Sequence, residues 1–238
     1  MVVLLATGTG LATQPTRTMP HSEQGKLPGA ADDLLPLGRG GAVMQLLHHV
    51  HNTLQASSYH AVTRVDGDAG SYQVDCSGMA AWVLKRTAPV AHASVVARSR
   101  NGRPLARDYY RQIAAAGRRK VAGWTHVGRV GDARPGDVIA WLKPKWRRSA
   151  MTGHVAFLVS APEGVPDMPG AYLVRVADAS RYTHQDDTRT GTGRNGFGMG
   201  TILVLAHPET DAPVAYGWHG NRSRWLPVTD IAIGRAER

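Results

Sequence analysis

The spacing of apolar residues changes partway along the chain, and this change limits the folds available to it. From Ala42 to Ser57, Val43, Leu46, Leu47, Val50 and Leu54 recur with a helical period and predict one apolar helix face. Gly67, Asp68 and Gly70 mark a loop. Cys76 to Arg86 reads as a second helix, apolar on most sides through Met79, Ala80, Trp82, Val83 and Leu84, and therefore buried; Pro89 stops it. Residues 90–120 read as a basic, helical insertion that includes Tyr109–Ala116. After that come short apolar runs bounded by turn residues: Val138–Leu142, Val155–Ser160, Tyr172–Ala177, Thr201–Ala206, Val214–Trp218 and Ile231–Ile233. Runs of this length and spacing predict an antiparallel sheet or half-barrel. Helices first and strands second make an α+β fold, with a buried helix packed on a sheet.

A chain of 238 residues, 42% hydrophobic and 19% charged, has enough apolar material for one sizeable soluble domain. That domain is expected over residues 41–238. Residues 1–40, rich in Gly, Pro, Thr and Ser, read as leader and linker. The apolar start, Met1 to Ala6, is short and lacks the Lys or Arg that opens a secretory signal; it reads as a partial signal peptide or a tail. The expected location is secreted or periplasmic, with cytoplasmic as the alternative. No run reaches the 18 or so apolar residues of a transmembrane helix.

The net charge is +10. It means either a basic surface that favours solubility or an anionic partner: nucleic acid, a membrane face or an acidic polymer. Cations cluster in two runs. One holds Arg98, Arg100, Arg103, Arg107, Arg111, Arg118, Arg119 and Lys120; the other holds Lys143, Lys145, Arg147 and Arg148. Neither run reads as interleaved with the aromatics of a single-strand binding surface. The expectation is a polyanion-tolerant surface without specific nucleic-acid recognition.

The chain has one cysteine, so an intramolecular disulfide is impossible. Cys76 falls where a loop enters the buried helix, in Tyr72-Gln73-Val74-Asp75-Cys76-Ser77-Gly78-Met79. Free N–H groups and the dipole at a helix start favour a thiolate, and the same N–H groups can hold an oxyanion. Gly78 allows a close approach. The alternative for Cys76 is a small buried hydrophobe. Pro135-Gly136-Asp137 reads as a turn that launches a strand. His154, after Gly153 at the start of an apolar strand, can serve as the base a thiol needs, or as a structural histidine. Asp178, at the end of the next predicted strand, can accept the other imidazole N–H. His184, Asp186 and Asp187 compete for that role. His48 and His51, three apart on a helix, read as a polar face; no metal and no cofactor are expected.

In this order, Asp75-Cys76-Ser77-Gly78, Arg134-Pro135-Gly136-Asp137 and Gly153-His154-Val155 resemble the NlpC/P60 superfamily of papain-like cysteine peptidases and amidases. The last two also resemble the related CHAP amidases. The resemblance spans about residues 42–235. It implies a papain-like fold in which Cys76 attacks an amide carbonyl, His154 polarises the cysteine, and a polar residue on the next strand orients the histidine. The family usually has His, Asn or Gln there; Asp178 departs from that. A family tyrosine that lines the oxyanion site points to Tyr59, with Tyr72 as the rival and Ser77 beside them, although the Gly-Gly that normally follows is absent. Residues 90–120 stretch the Cys–His separation and are expected to shape the groove. The implied substrate is an anionic cell-wall peptide, by default a peptidoglycan stem peptide, or another amide. A catalytically silent binding module and an acyltransferase of the same fold are the alternatives. All of these place the sulfur and the His154 imidazole in contact at the mouth of a cleft.

Overall fold

A computed structural model describes residues 41–237. The leader and linker expected over residues 1–40 lie outside the described residues. The described part opens with α1 (Gly41–Thr53) and three short strands, β1 (Ala56–Tyr59), β2 (Arg64–Asp66) and β3 (Ser71–Val74). Three helices follow: α2 (Cys76–Thr87), α3 (Pro89–Val96) and α4 (Ala106–Ala116). The rest is mainly strand: β4 (Trp124–Val127), β5 (Val138–Leu142), β6 (Gly153–Leu158), β7 (Glu163–Gly164), β8 (Ala171–Ser180), β9 (Gly196–Ala206), β10 (Pro213–Gly217) and β11 (Ile231–Ala236). The protein is a mixed α+β fold in which the four helices precede the large sheet.

The large sheet runs β10-β9-β8-β6-β5-β11-β4, with β7 paired to β8, and all its pairings are antiparallel. Period-2 alternation sorts its side chains onto two faces. Val138, Ala140, Val155, Phe157, Ala177 and Ala179 join the helices in one core. Ile139, Trp141, Ala156, Leu158, Val174 and Val176 build a second core that draws its buried residues from strands and from Val130 and Ala133. The sheet curls toward this second face: β10 and β11 touch although they are not neighbours in strand order, and Thr229 N donates to Val214 O at 3.2 Å. The Pro-Gly-Asp turn is pinned by Asp137, which accepts from Arg134 N at 2.8 Å and from Arg235 Nε and Nη2 at 2.8 Å each.

Four expectations change. The helix read through Ser57 ends at Thr53; Ala56–Tyr59 instead forms a strand parallel to β3 in a separate three-stranded sheet, β1-β3-β2. Pro89 does end α2, and it also starts α3, where its missing N–H costs nothing. Residues 90–120, read as a basic helical insertion, are helical in α3 and α4 but belong to the core, because α4 buries Tyr109 and Ile113 completely against the sheet. Strand β8 runs to Ser180, so Asp178 lies inside a strand rather than at its end.

Candidate active site

Asp75 sets the start of α2. Its extended backbone (φ −95°, ψ 176°) lets the carboxylate fold over the first turn, where Oδ1 accepts from Gly78 N at 2.7 Å and from Ser77 Oγ at 2.9 Å. Arg103 holds the other oxygen and also donates to Ala61 O at 2.7 Å. A Cβ on Gly78 would lie 2.2 Å from Thr63 Oγ1, so only glycine lets that loop close on the helix start. Gly78 N is spent on Asp75 Oδ1 and Met79 N on Asp75 O. The N–H groups of Cys76 and Ser77 have no intrahelical acceptor and remain beside the sulfur. Tyr109, fully buried, donates its hydroxyl to Ser77 O at 3.3 Å; burial, then Cys76 and Asp75, push its ionisation up.

Strand β6 delivers His154 to Cys76. Antiparallel pairing sets His154 opposite Trp141, and only glycine fits at position 153 (φ +147°), because a Cβ there would strike Trp141 O. His154 Nε2 donates to Asp178 Oδ2 at 2.7 Å, which leaves Nδ1 for the hydrogen-bond contact with Cys76. Burial works against the imidazolium, but Cys76, the Asp178 hydrogen bond and the Asp178 charge outweigh it and raise His154 to about 10. Asp178 is likewise opposed by burial, yet His184, the hydrogen bonds from His154 and His184, and Arg189 hold it far below the usual carboxylate range.

The network extends beyond these three residues. Asp178 Oδ2 also accepts from His184 Nε2 at 2.9 Å, and His184 Nδ1 lies 3.1 Å from Trp218 O. Both contacts of the His184 ring are therefore made to oxygens that accept. Arg189 Nη2 sits 3.0 Å from Asp178 Oδ1, off the axis of a hydrogen bond, and the same guanidinium grips Asp187 at 2.6 and 2.8 Å. Asp187 in turn accepts from His184 N at 2.8 Å. Trp141 and Trp218 wall the imidazoles, with ring centroids 4.9 and 5.1 Å from His154, and Trp218 lies 4.2 Å from His184.

A trough in β9 admits this loop. Gly196, Gly198 and Gly200 share one face at alternate positions. A Cβ on Gly198 would meet Arg189 Nε at 2.4 Å, and one on Gly200 would meet the His184 Cβ at 2.7 Å. Gly198 is also the register partner of Asp178. The motif Gly-Phe-Gly-Met-Gly was the available sequence signal for the network, and Arg189 had no signal of its own.

The structure brings Cys76, His154 and Asp178 together, adds His184 and Asp187, and leaves Asp186 exposed against Arg222. Tyr59 is half-buried at the end of β1, with its ionisation raised by burial and then by Cys76, and with the Arg181 guanidinium 5.3 Å from its ring. Tyr72 instead enters the core, edge-on to Trp82 at 5.7 Å, beside a small cavity lined by Leu47, Val50, Met79 and Phe197. Ser77 is buried and committed to Asp75. His48 and His51 are exposed on α1.

His154 Nε2, Asp178 Oδ2 and His184 Nε2 lie within 4.8 Å of one another, a donor set of the kind transition metals take. Arg189 against the same carboxylate puts a competing cation there, and both imidazoles already direct an N–H at Oδ2. The arrangement suits proton and charge positioning better than metal binding. Cys76 is 7% exposed and His154 5%, so the pair meets under cover rather than in an open cleft. Compared with protein-family models, with curated proteins and with solved structures, the chain matches none.

Proposed function

We propose that the protein is a cysteine hydrolase of the NlpC/P60 type, papain-like in fold, that cleaves an amide bond through a thioester. The observation that carries this reading is the contact between the lone cysteine, at the N-terminus of α2, and an imidazole whose far nitrogen is fixed on a buried carboxylate. A helix start, an imidazole and a carboxylate that orients it are the parts a cysteine nucleophile needs. Cys76 Sγ attacks the carbonyl carbon, and the π electrons move onto oxygen, where the N–H groups of Cys76 and Ser77 donate, with Tyr59 at the edge. His154 gives its Nδ1 proton to the departing amine as the C–N bond breaks and the thioester forms. Water then loses a proton to His154 as it attacks the thioester, and Cys76 leaves as thiolate. Asp178 keeps Nε2 protonated throughout, so Nδ1 alone exchanges protons with the substrate.

The substrate that fits this reading is an anionic cell-wall peptide, by default a peptidoglycan stem peptide, acted on in a secreted or periplasmic setting. An acceptor other than water would make the same chemistry an acyl transfer. The test is mass spectrometry of wall fragments after incubation with wild type and Cys76→Ala. New amine and carboxyl ends are expected with wild type alone; equal cleavage by Cys76→Ala would end the hydrolase reading. The burial of Cys76 favours one alternative, a silent module that keeps the fold without turnover. Iodoacetamide separates the two, since a working thiolate is carboxamidomethylated within minutes and a sealed one is not.

A further inference from the structure

Two loops at the β10–β11 side of the sheet carry a surface that the candidate site does not use. One, residues 143–152, joins β5 to β6 and ends two residues before His154; the other, residues 218–230, joins β10 to β11. Trp146 and Trp225 tie them together, stacked at 5.1 Å with 5° between the ring planes, yet 55% and 68% exposed. Met151 and Val228 are exposed on the same loops, so these loops carry four of the eight large hydrophobic side chains exposed among the described residues. Such grouping marks a contact surface; apolar residues scattered singly do not. The basic run 143–148, read from the sequence as not interleaved with the aromatics of a single-strand surface, has Trp146 at its centre.

The charge is one-sided. The loops hold six cations, Lys143, Lys145, Arg147, Arg148, Arg222 and Arg224, against one carboxylate, Asp230, at the end of the second loop. Arg222 pairs with Asp186 at 3.2 Å, and Lys143 Nζ donates to Ser149 O. Among the described residues, Lys145, Arg147, Arg148 and Arg224 have no carboxylate within 4.0 Å.

We propose that this patch docks the protein on an anionic lipid bilayer surface. Tryptophan favours the membrane–water interface, Met151 and Val228 supply apolar area for the acyl boundary, and the cations match anionic headgroups. Two other occupants fit less well. Ammonium and guanidinium groups only donate, whereas a neutral glycan's hydroxyls also need acceptors. The indoles cover each other instead of being spaced to take successive bases of a single strand.

The experiment is co-sedimentation of the full chain with vesicles of phosphatidylcholine alone or mixed with phosphatidylglycerol. Binding is expected to the mixed vesicles only, and to be lost at about 1 M salt, where the Debye length is roughly 3 Å. W146S/W225S and K145E/R147E/R148E should each weaken it by roughly tenfold or more. All five side chains lie at the surface, and thermal unfolding midpoints matching wild type confirm intact folds. The proposal fails if the mixed vesicles do not bind the protein, or if both variants bind as wild type does. It fails equally if the variants lose binding only to duplex DNA or to purified wall polymer. None of these readouts involves turnover, so they stand apart from the outcome of the Cys76→Ala comparison.

Discussion

At the scale of single residues, the site depends on one oxygen atom. Asp178 Oδ2 accepts from two imidazoles while Arg189 neutralises its neighbour, all out of water. A carboxamide in the same place can give its one oxygen to the imidazoles only by turning its N–H₂ on the Arg189 guanidinium, and it carries no charge to balance the cations around it. Asp178→Asn should therefore free the His154 ring and weaken its hold on Cys76. Breaking a buried charge network of this kind costs about 3–5 kcal/mol. With one cysteine in the chain, the readout is direct: carboxamidomethylation at neutral pH, followed by mass, should slow by roughly tenfold or more in Asp178→Asn. His184→Ala removes one of the two donors and leaves the bond to His154, so it should slow the reaction less. Equal rates in wild type and Asp178→Asn would show that the carboxylate does not govern the sulfur. Cys76, His154 and Asp178 were legible because each sits at a recognisable point: a capped helix start, a Gly-His strand opening and the strand that follows. Arg189 was not, because a cation in an aperiodic loop carries no mark of the carboxylates it meets in space.

At the scale of elements, the helices and the apolar strands could be read from their periods, and the polar strands could not. Burial does alternate along Ala-Ser-Ser-Tyr, Arg-Val-Asp and Ser-Tyr-Gln-Val, which form β1, β2 and β3, but runs of three or four residues with so few apolar side chains are too short and too polar to show a period in the sequence. Strand β9 was read as starting at Thr201 because its first half alternates glycines, which usually weaken a strand. Those glycines are what allow the 184–189 loop to lie flat beside Asp178. Gly198→Ala tests this. The strand is held by its pairing to β8, so the new Cβ must displace Arg189 and leave Asp178 and Asp187 without their shared cation. A loss of about 3–5 kcal/mol in urea unfolding is expected. Gly164→Ala, on exposed β7 with nothing within 4 Å of the added carbon, should leave the midpoint nearly unchanged. Matching midpoints in the two variants would mean that the trough is not needed for stability.

At the scale of the whole molecule, the buried network makes stability depend on pH from both sides. Asp178 ionises far more readily in the fold than in an open chain, where its value is 3.8. Its contribution is present above that value and lost as pH falls below it, because the folded form must then take up a proton it resists. His154 runs the other way, raised from 6.5 to about 10. Its contribution is complete below 6.5 and disappears as pH rises through about 10. The unfolding temperature should therefore peak between roughly pH 4 and 6.5 and decline on either side. Two variants assign the two limbs. Asp178→Asn should lower the peak and flatten the acid limb, since no carboxylate remains to protonate. Cys76→Ala takes away one of the neighbours that raise His154, so the alkaline decline should begin at lower pH while the acid limb persists. An alkaline limb identical in wild type and Cys76→Ala would show that the sulfur and the imidazole do not share a charge, and the contact on which the catalytic reading stands would then be one of packing alone.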